Sequence, residues 1–380
     1  MRQIPVCEPV LGREELKNVA DCLKTNWISS KGKYIQEFEK GFAKFCNAKY
    51  AIATTSGTTA LHLALASLGI SKGDEVILPT FTMAATVFSV LYTQAKPVLA
   101  DIELDTFNIN PAEIEKKITK RTKAILIVHL YGHPCEMGPI MDIAKNNKLF
   151  LIEDAAESHG AEHMGRKVGT FGDISAFSFY ANKIITTGEG GMVVTNNKTL
   201  AKRAKILKDM AFDPEKRFLH LETGFNYRMT NIQAAIGLAQ LKKINDYINR
   251  RRHNAFLYNQ LLENIAGIVL PTERLRSKNV YWMYAILLNK KFGFSRDELR
   301  KHLMQRGIET RDFFIPMHRQ PFFKKLGISS IRESFPIADD ISSRGLYLPS
   351  GTGLKVNDIQ YIAKQIKALH KLVKNENYAY

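Results

Sequence analysis

The sequence predicts an α/β fold in which helices cover both faces of a mostly parallel sheet. Short apolar runs of strand length recur between residues 50 and 195. Stretches with helical periodicity separate these runs. Strands that are apolar throughout are buried on both faces, as they are in a parallel sheet between two layers of helices. A chain of 380 residues also has room for a second, smaller unit.

Each predicted strand is a short run rich in Ile, Val, Leu and Ala. In chain order, the runs cover residues 51–54, 75–79, 97–101, 124–128, 149–154, 174–179 and 191–195. Helical spacing of apolar residues follows several of them, and it predicts helices over 58–68, 83–93 and 138–146. The carboxyl ends of such strands are where open α/β sheets bind ligands, so the residues after each strand are the first place to look for a site.

The helical period dominates from about residue 196 onwards. We predict one long helix over 232–258, with Ala235, Leu238 and Ile244 on one face, as a bridge to a second domain. The large domain then covers 1–245, including an N-terminal arm over 1–35, and a smaller α+β domain covers 246–380. For the smaller domain we predict a strand over 281–288, helices over 297–305 and 358–372, and a frayed tail over 374–380.

Composition and charge exclude several classes of protein. Hydrophobic residues make up 45% and charged residues 24% of the chain, as in an ordinary soluble globular protein. The net charge of +17 favours an anionic partner, but the basic residues are spread over predicted helix faces. We expect neither a nucleic-acid motif nor an export or membrane segment. Four widely spaced cysteines fit reduced thiols in a cytoplasm and do not fit a zinc site.

The first predicted strand runs into a helix through a turn of small hydroxyl residues and glycine. Ser56, Gly57 and Thr58 stand where the backbone N–H groups of a helix N-terminus would face an anion. The same residues could simply cap the helix, which is their commoner role. The turn therefore indicates an anion site only in combination with other features.

Two ionisable residues follow later strands. Asp154 ends the strand over 149–154, where it either caps a helix or binds a cationic ring nitrogen. Lys183 lies between an apolar strand and an apolar, glycine-rich turn, so we expect it to be partly desolvated and usable as an amine nucleophile. A lysine, an aspartate and a phosphate cradle together meet the needs of pyridoxal phosphate, which requires a Schiff-base lysine and an acid beside its ring nitrogen.

One pattern points to a different chemistry. Residues 159–163 match the H-x-x-E-H pattern of zinc hydrolases. That pattern needs both histidines on one face of a helix, and Gly160 lies between them. We therefore expect no metal site here.

With these residues together, the sequence strongly resembles the DegT/StrS-type sugar aminotransferases, a branch of fold-type I pyridoxal-phosphate enzymes. The resemblance covers nearly the whole chain. Its motifs lie at 8–9, 27–32, 56–58, 153–156, 182–183, 187–191 and 224–231. Segments 131–134 and 313–318 are most similar to the branch that forms GDP-perosamine. Relatives that dehydrate sugars carry His at the position of Lys183, so that activity is excluded.

The resemblance implies a role for each matching position. Lys183 would bond to the cofactor and move protons, and Asp154 would pair with the pyridinium nitrogen. The remaining cofactor-binding positions would be Ser56, Gly57, Thr58, Met83, Glu157, Ser178 and Asn226. Of these, Gly57, Thr58 and Ser178 would bind the phosphate. Asn226 would reach the phosphate of a neighbouring subunit and make the active unit a homodimer, although it could also cap the turn before the long helix.

Two positions depart from the commonest pattern of that family. Met83 stands where many members stack an aromatic ring on the cofactor, and a thioether can also pack there. Glu157 stands where many members have Gln beside the ring oxygen of the cofactor. A carboxylate next to that phenolate is repulsive unless it is protonated or turned towards the substrate, so the role of Glu157 stays open.

The implied reaction moves the amino group of L-glutamate to C4 of a nucleotide-linked 4-keto-6-deoxy sugar, with GDP-4-keto-6-deoxymannose favoured. The candidates for binding the sugar nucleotide are Trp27, Ser30, Lys31, Arg228 and His318. Trp27 is more often a core residue than a ligand. The family also implies a role in surface-polysaccharide synthesis, such as that of O-antigen.

Two alternatives remain on the sequence alone. Amination at C3, or a dTDP- or UDP-linked substrate, uses the same chemistry and is poorly separated by these motifs. A regulatory homologue that binds nucleic acid has only the net charge of +17 in its favour.

Overall fold

The computed structural model describes residues 3–213, 215–216, 218–328 and 333–376. The strands in these ranges are β1 (Tyr50–Thr54), β2 (Glu75–Pro79), β3 (Lys96–Ala100), β4 (Thr122–Val128), β5 (Phe150–Asp154), β6 (Glu162–His163), β7 (Arg166–Lys167), β8 (Ile174–Ser178), β9 (Gly191–Thr195), β10 (Ile268–Val269), β11 (Ser277–Lys278), β12 (Tyr284–Leu288), β13 (Arg311–Asp312) and β14 (Gly345–Leu348).

The α-helices of the same ranges are α1 (Arg13–Lys24), α2 (Lys33–Cys46), α3 (Gly57–Ser67), α4 (Ala84–Tyr92), α5 (Pro111–Lys116), α6 (Met137–Asn146), α7 (Lys198–Lys208), α8 (Asn231–Leu241), α9 (Ile244–Leu262), α10 (Arg296–Gln305), α11 (Pro321–Lys325), α12 (Pro336–Arg344) and α13 (Val356–Glu376). Within the described ranges, none of them is long and apolar enough to cross a bilayer.

Seven strands form the central sheet, in the order β1-β9-β8-β5-β4-β2-β3. β9 pairs antiparallel with β1 and β8, whereas the other neighbours pair parallel. The side chains of β4 alternate between two cores, because Leu126 faces the main core while Ile125 and Ile127 face a second one on the opposite side. The sheet is therefore buried on both faces, and the predicted α/β fold with a mostly parallel sheet is confirmed.

The C-terminal part of the chain has its own antiparallel sheet, in the order β10-β12-β14-β13. A separate hydrophobic core packs against it. Helix α9 belongs to both parts, because Ile244 and Ile248 pack in the main core whereas Tyr258 and Leu262 pack in the C-terminal core. The domain boundary at 245/246 stays a prediction. Residues 374–376 of the predicted frayed tail belong to α13, and the rest of that tail lies outside the described residues.

The single long helix predicted over 232–258 is wrong. The chain forms α8 and α9 instead, and the turn between them contains Lys242 and Lys243. Lys243 Nζ lies 3.0 Å from the carboxylate of Glu15 on α1, and Lys242 pairs with Glu14. The turn brings both lysines to the acidic first turn of α1.

The strand predicted over 281–288 begins three residues later, at Tyr284. Tyr281 has a φ of 47°, in the left-handed region, and its N–H donates to the side chain of Asn279 at 2.8 Å. A residue in that conformation cannot continue a strand. The chain therefore turns just before β12, and this turn places Trp282 at the site described below.

Candidate active site

A cavity of about 460 Å³ opens at the carboxyl ends of the parallel strands. Segments that follow β1, β2, β5 and β8 line it, as expected for a ligand site on an open α/β sheet. Eight of the nine residues predicted to bind the cofactor lie on its wall: Ser56, Gly57, Thr58, Met83, Asp154, Glu157, Ser178 and Lys183.

One end of the cavity is built from the first turn of α3. The side chain of Ser56 caps this helix by accepting a hydrogen bond from Thr59 N at 3.2 Å. The N–H groups of Gly57 and Thr58 belong to the first turn, which has no carbonyl partners within the helix. A Cβ atom on Gly57 would lie 2.7 Å from Ser178 Cβ, so only glycine allows the two segments to approach this closely. Helix N–H groups and a hydroxyl thus converge in a geometry suited to an anion.

Asp154 occupies the end of β5 and is 5% exposed. Its carboxylate accepts hydrogen bonds from Thr86 Oγ1 at 2.8 Å and from Ala156 N at 3.1 Å. Burial raises the pKa of Asp154, and these two bonds oppose the shift. Both donors are neutral, so a cationic group bound in the cavity would stabilise the ionised carboxylate further.

The side chain of Lys183 enters the cavity from the turn after β8 and is 10% exposed. Its Nζ atom lies 3.8 Å from Glu157 Oε1 and 3.7 Å from the centre of the Trp282 ring system. Burial lowers the pKa of Lys183, while the carboxylates of Glu157 and Asp154 act in the opposite direction. The neutral amine is the nucleophilic form of a lysine, and a lowered pKa makes that form easier to reach.

Glu157 is buried in the turn after β5, and Oε2 accepts a hydrogen bond from Tyr131 N at 2.8 Å. Burial raises its pKa to about 7, against the opposing charge of Lys183. The carboxyl group is therefore a weaker acid than a glutamate in water, which is fully ionised at neutral pH.

These residues fit pyridoxal phosphate. The glycine-dependent approach of α3 to Ser178 forms an anion cradle, Asp154 offers a buried carboxylate without a cationic hydrogen-bond donor, and Lys183 offers an amine. All three groups line one cavity, and together they match the phosphate, the ring nitrogen and the aldehyde of the cofactor.

Two predicted residues lie outside the cavity wall, in the segment between α7 and α8. Arg228 donates from Nε to Asn226 Oδ1 at 2.9 Å, and its Nη1 atom pairs with Asp209 at 2.9 Å. Asn226 is exposed. Their assigned roles in binding cofactor and substrate stay predictions.

Trp27, Ser30 and Lys31 line a different hollow, of about 730 Å³, beside α2. Asn231 Nδ2 donates to the carbonyl oxygen of Trp27 at 2.7 Å and fixes this segment to the start of α8. The indole of Trp27 is exposed, so it is not a core residue of the isolated chain. Substrate binding by the three residues stays a prediction.

His318 is held by two partners outside the cavity wall. Its Nδ1 atom lies 2.7 Å from Thr80 Oγ1, and its Nε2 atom lies 3.0 Å from Asp339 Oδ1. Both ring nitrogens of His318 are hydrogen-bonded, so the side chain would have to give up Thr80 or Asp339 to bind a substrate through either nitrogen.

Several residues of the cavity wall were not predicted from the sequence. Trp282, Arg311 and Tyr347 reach it from the C-terminal part of the chain, and Thr86 supports Asp154 from α4. Arg311 lies two residues before the segment 313–318, and the resemblance of that segment to the family was the available signal. Nothing in the sequence pattern around Trp282 distinguishes it from a core aromatic residue.

The two histidines of the H-x-x-E-H pattern do not share a helix. His163 lies on β6, and His159 lies in a turn beside Phe42, Phe177 and Phe179. Burial lowers the pKa of His159 to about 3. In the described part of the chain, no group of three or more His, Cys, Asp or Glu side chains is arranged to hold a metal ion.

Comparisons with known proteins agree with this geometry. Residues 9–367 match the DegT/DnrJ/EryC1/StrS aminotransferase family. A GDP-perosamine synthase of Escherichia coli O157:H7 is 46% identical over 97% of this chain and 99% of that protein. One from Caulobacter vibrioides is 45% identical, over 95% and 96% respectively. The crystal structure of S. venezuelae DesV in complex with a ketimine intermediate is 34% identical, with a TM-score of 0.88 over 94% of each chain.

Proposed function

This chain belongs to the DegT/DnrJ/EryC1/StrS aminotransferase family, and from that premise we propose that it transfers the amino group of L-glutamate to C4 of GDP-4-keto-6-deoxymannose, forming GDP-perosamine. The observation that carries the aminotransferase reaction is the meeting of Lys183, Asp154 and the α3 anion cradle in one cavity. The sugar and the base are inferred from relatives that are 45–46% identical over nearly the whole chain.

The cofactor is pyridoxal phosphate, which supplies an aldehyde that bonds to amines and a ring that takes up an electron pair. Asp154 would accept a hydrogen bond from the ring nitrogen and so stabilise its positive charge. The first turn of α3 and Ser178 Oγ would bind the phosphate and so orient the cofactor. Lys183 Nζ would accept the proton that leaves the α-carbon of glutamate, and in the second half-reaction it would deliver a proton to C4 of the sugar.

We also propose that the active form is a homodimer. Asn226 is exposed and lies outside the cavity wall of its own chain, and these features suit a residue that reaches the phosphate at the partner's site. Residues Trp27, Ser30, Lys31, Arg228 and His318 remain the candidates for the sugar nucleotide. The four cysteines are free thiols, in keeping with reaction in a cytoplasm.

The choice of nucleotide sugar is tested by comparing substrates. With L-glutamate as donor, we expect kcat/KM for GDP-4-keto-6-deoxymannose to exceed that for dTDP- or UDP-linked 4-keto-6-deoxy sugars by about tenfold or more, because polar groups of a site built for guanine stay unpaired with another base. Mass spectrometry quantifies the product, and NMR locates its amino group. A preference for a dTDP- or UDP-sugar, or amination at C3, would refute the assignment.

A further inference from the structure

We propose that Glu157 and Trp282 together form a docking site for the ammonium group of Lys183, which the lysine occupies whenever it is not bonded to the cofactor. The inference rests on the proposed function, because Lys183 must leave the cofactor in the first half-reaction and stays unbonded until the second half-reaction ends. It assigns a role to Glu157, which the sequence left open, and to Trp282, which the sequence did not single out.

The position of the free lysine carries the proposal. Lys183 Nζ lies 3.8 Å from Glu157 Oε1, within ion-pair distance, and 3.7 Å from the centre of the Trp282 ring system. A carboxylate and the face of an indole are the two groups that stabilise an ammonium ion most directly in a site with little water. One amine thus contacts an anion and an aromatic face at the same time.

A backbone hydrogen bond to the second carboxylate oxygen holds Glu157 in place. Oε2 accepts the hydrogen bond from Tyr131 N, at 2.8 Å, so Oε1 is left to face the lysine. Tyr131 has a φ of 54°, and the left-handed turn at this residue is part of a short 3-10 segment, Leu130–Gly132. The backbone itself therefore fixes the carboxylate.

Trp282 is held at both its side chain and its backbone. Nε1–H donates to the carbonyl oxygen of Asn182 at 2.9 Å, next to the lysine in sequence. The carbonyl oxygen of Trp282 accepts a hydrogen bond from Arg251 Nη1 at 2.7 Å, and Arg251 is 2% exposed. These contacts fix the indole face towards Lys183.

The charges around Lys183 come from several elements. The groups that act on Lys183 or Glu157 are Asp154 at the end of β5, Arg251 on α9, the imidazole of His159, the thiol of Cys7, and the phenols of Tyr131 and Tyr347. Glu189, Arg311 and Asp312 also line the cavity. Burial raises the pKa of both phenols well above the ordinary value, so they stay neutral. The Asp154 carboxylate accepts hydrogen bonds from Thr86 and Ala156. Glu157 is the carboxylate within ion-pair distance of Lys183 Nζ.

This arrangement has a consequence for proton transfer. A lysine that has taken a proton from carbon becomes an ammonium ion in a cavity whose burial disfavours charge. The carboxylate and the indole stabilise that ion, so the proton stays on Nζ until it is passed on. Only a proton moves between carbon and nitrogen, and no further reactant is needed.

The test is the pH dependence of Lys183 reactivity in the full-length protein freed of cofactor. Reductive methylation with formaldehyde and a borane, followed by peptide mass spectrometry, reports the fraction of neutral amine. We expect Glu157→Gln, which keeps the shape and the acceptor for Tyr131 N, to lower the reactivity midpoint by about 1 pH unit or more. Trp282→Leu should lower it by about 0.5 pH unit, because the cation–π contact is weaker.

Matched controls make this result specific. Glu75 is buried like Glu157, and it is paired with Arg121. It lies at the start of β2, at the end of the strand away from the cavity, so we expect Glu75→Gln to leave the reactivity midpoint of Lys183 unchanged. Exposed Lys72 provides an internal standard in each digest. A thermal unfolding curve verifies that each variant is folded, and Trp282→Met replaces Trp282→Leu if the latter is not, because methionine also lacks an aromatic face.

An unchanged or raised midpoint in folded Glu157→Gln would overturn the proposal, as would an unchanged midpoint in the folded Trp282 variant. Because the lysine is titrated without substrate or cofactor, the outcome does not depend on transamination. A wild-type protein that failed to bind pyridoxal phosphate would refute the proposed function, and the lysine titration would still decide the docking site.

Discussion

Replacing Lys183 with alanine is expected to lower the transamination rate by about 10³-fold or more, since one amine serves as both nucleophile and proton carrier. The residue is the lysine of the cavity wall, and its amine lies within ion-pair distance of Glu157. The purified variant should also lack the visible absorbance of a lysine-bound cofactor. Rates are measured as 2-oxoglutarate released from L-glutamate in the presence of the keto sugar.

Lys117→Ala is the control for the loss of a partly buried, ion-paired lysine. Lys117 Nζ lies 2.9 Å from Glu333 Oε1, and its side chain is 23% exposed. We expect this variant to keep the wild-type rate within about threefold, since surface ion pairs contribute little. A Lys183→Ala protein with substantial activity would show that another group supplies the amine.

Asp154→Asn is expected to lower kcat by about 10²–10³-fold, comparable to the loss of one group that stabilises charge in a transition state. Asparagine has the same shape, and its side-chain oxygen can still accept the hydrogen bond from Thr86 Oγ1. It carries no negative charge, so it cannot hold a positive charge on the ring nitrogen. The expected phenotype is therefore a folded protein that binds the cofactor and turns over slowly.

Asp101→Asn provides the matched control. Asp101 is 6% exposed, close to the value for Asp154, and it accepts hydrogen bonds from the backbone of Ile337 and Ala338. Burial raises the pKa of Asp101 as it raises that of Asp154. The main difference between the two carboxylates is that Asp154 lines the cavity and Asp101 does not. If both variants lost activity equally, the effect at Asp154 would be one of stability rather than chemistry.

The parts of the site that could be predicted from sequence lie close to strand ends. The anion turn at Gly57, the carboxylate of Asp154 and the amine of Lys183 each follow an apolar run. β5 and β8 pair parallel, and β1 runs in the same direction because antiparallel β9 lies between it and β8, so the three ends lie at one edge of the sheet. Local pattern and sheet geometry are sufficient for that inference. The combination of the three groups then indicated pyridoxal phosphate, and the resemblance added the substrate class.

The rest depends on contacts between residues far apart in the chain. Trp282 reaches Lys183 because Tyr281 adopts a left-handed conformation and Arg251 binds the Trp282 carbonyl, and neither feature has a periodic signature. The turn between α8 and α9 likewise brings Lys243 to Glu15, 228 residues earlier in the chain. Hydrophobic periodicity reports which face of an element is buried, but it does not report which distant charge a turn will meet.

The most direct test of the central claim is the visible absorbance of the wild-type protein during a glutamate titration. With pyridoxal phosphate added, we expect a band at about 400–430 nm that moves to about 330 nm with L-glutamate and returns with GDP-4-keto-6-deoxymannose. The loss of the band with L-glutamate and its return with the keto sugar would show both half-reactions in one experiment. The absence of a band after the addition of pyridoxal phosphate, or a band that L-glutamate leaves unchanged, would contradict the assignment of this cavity as an aminotransferase active site.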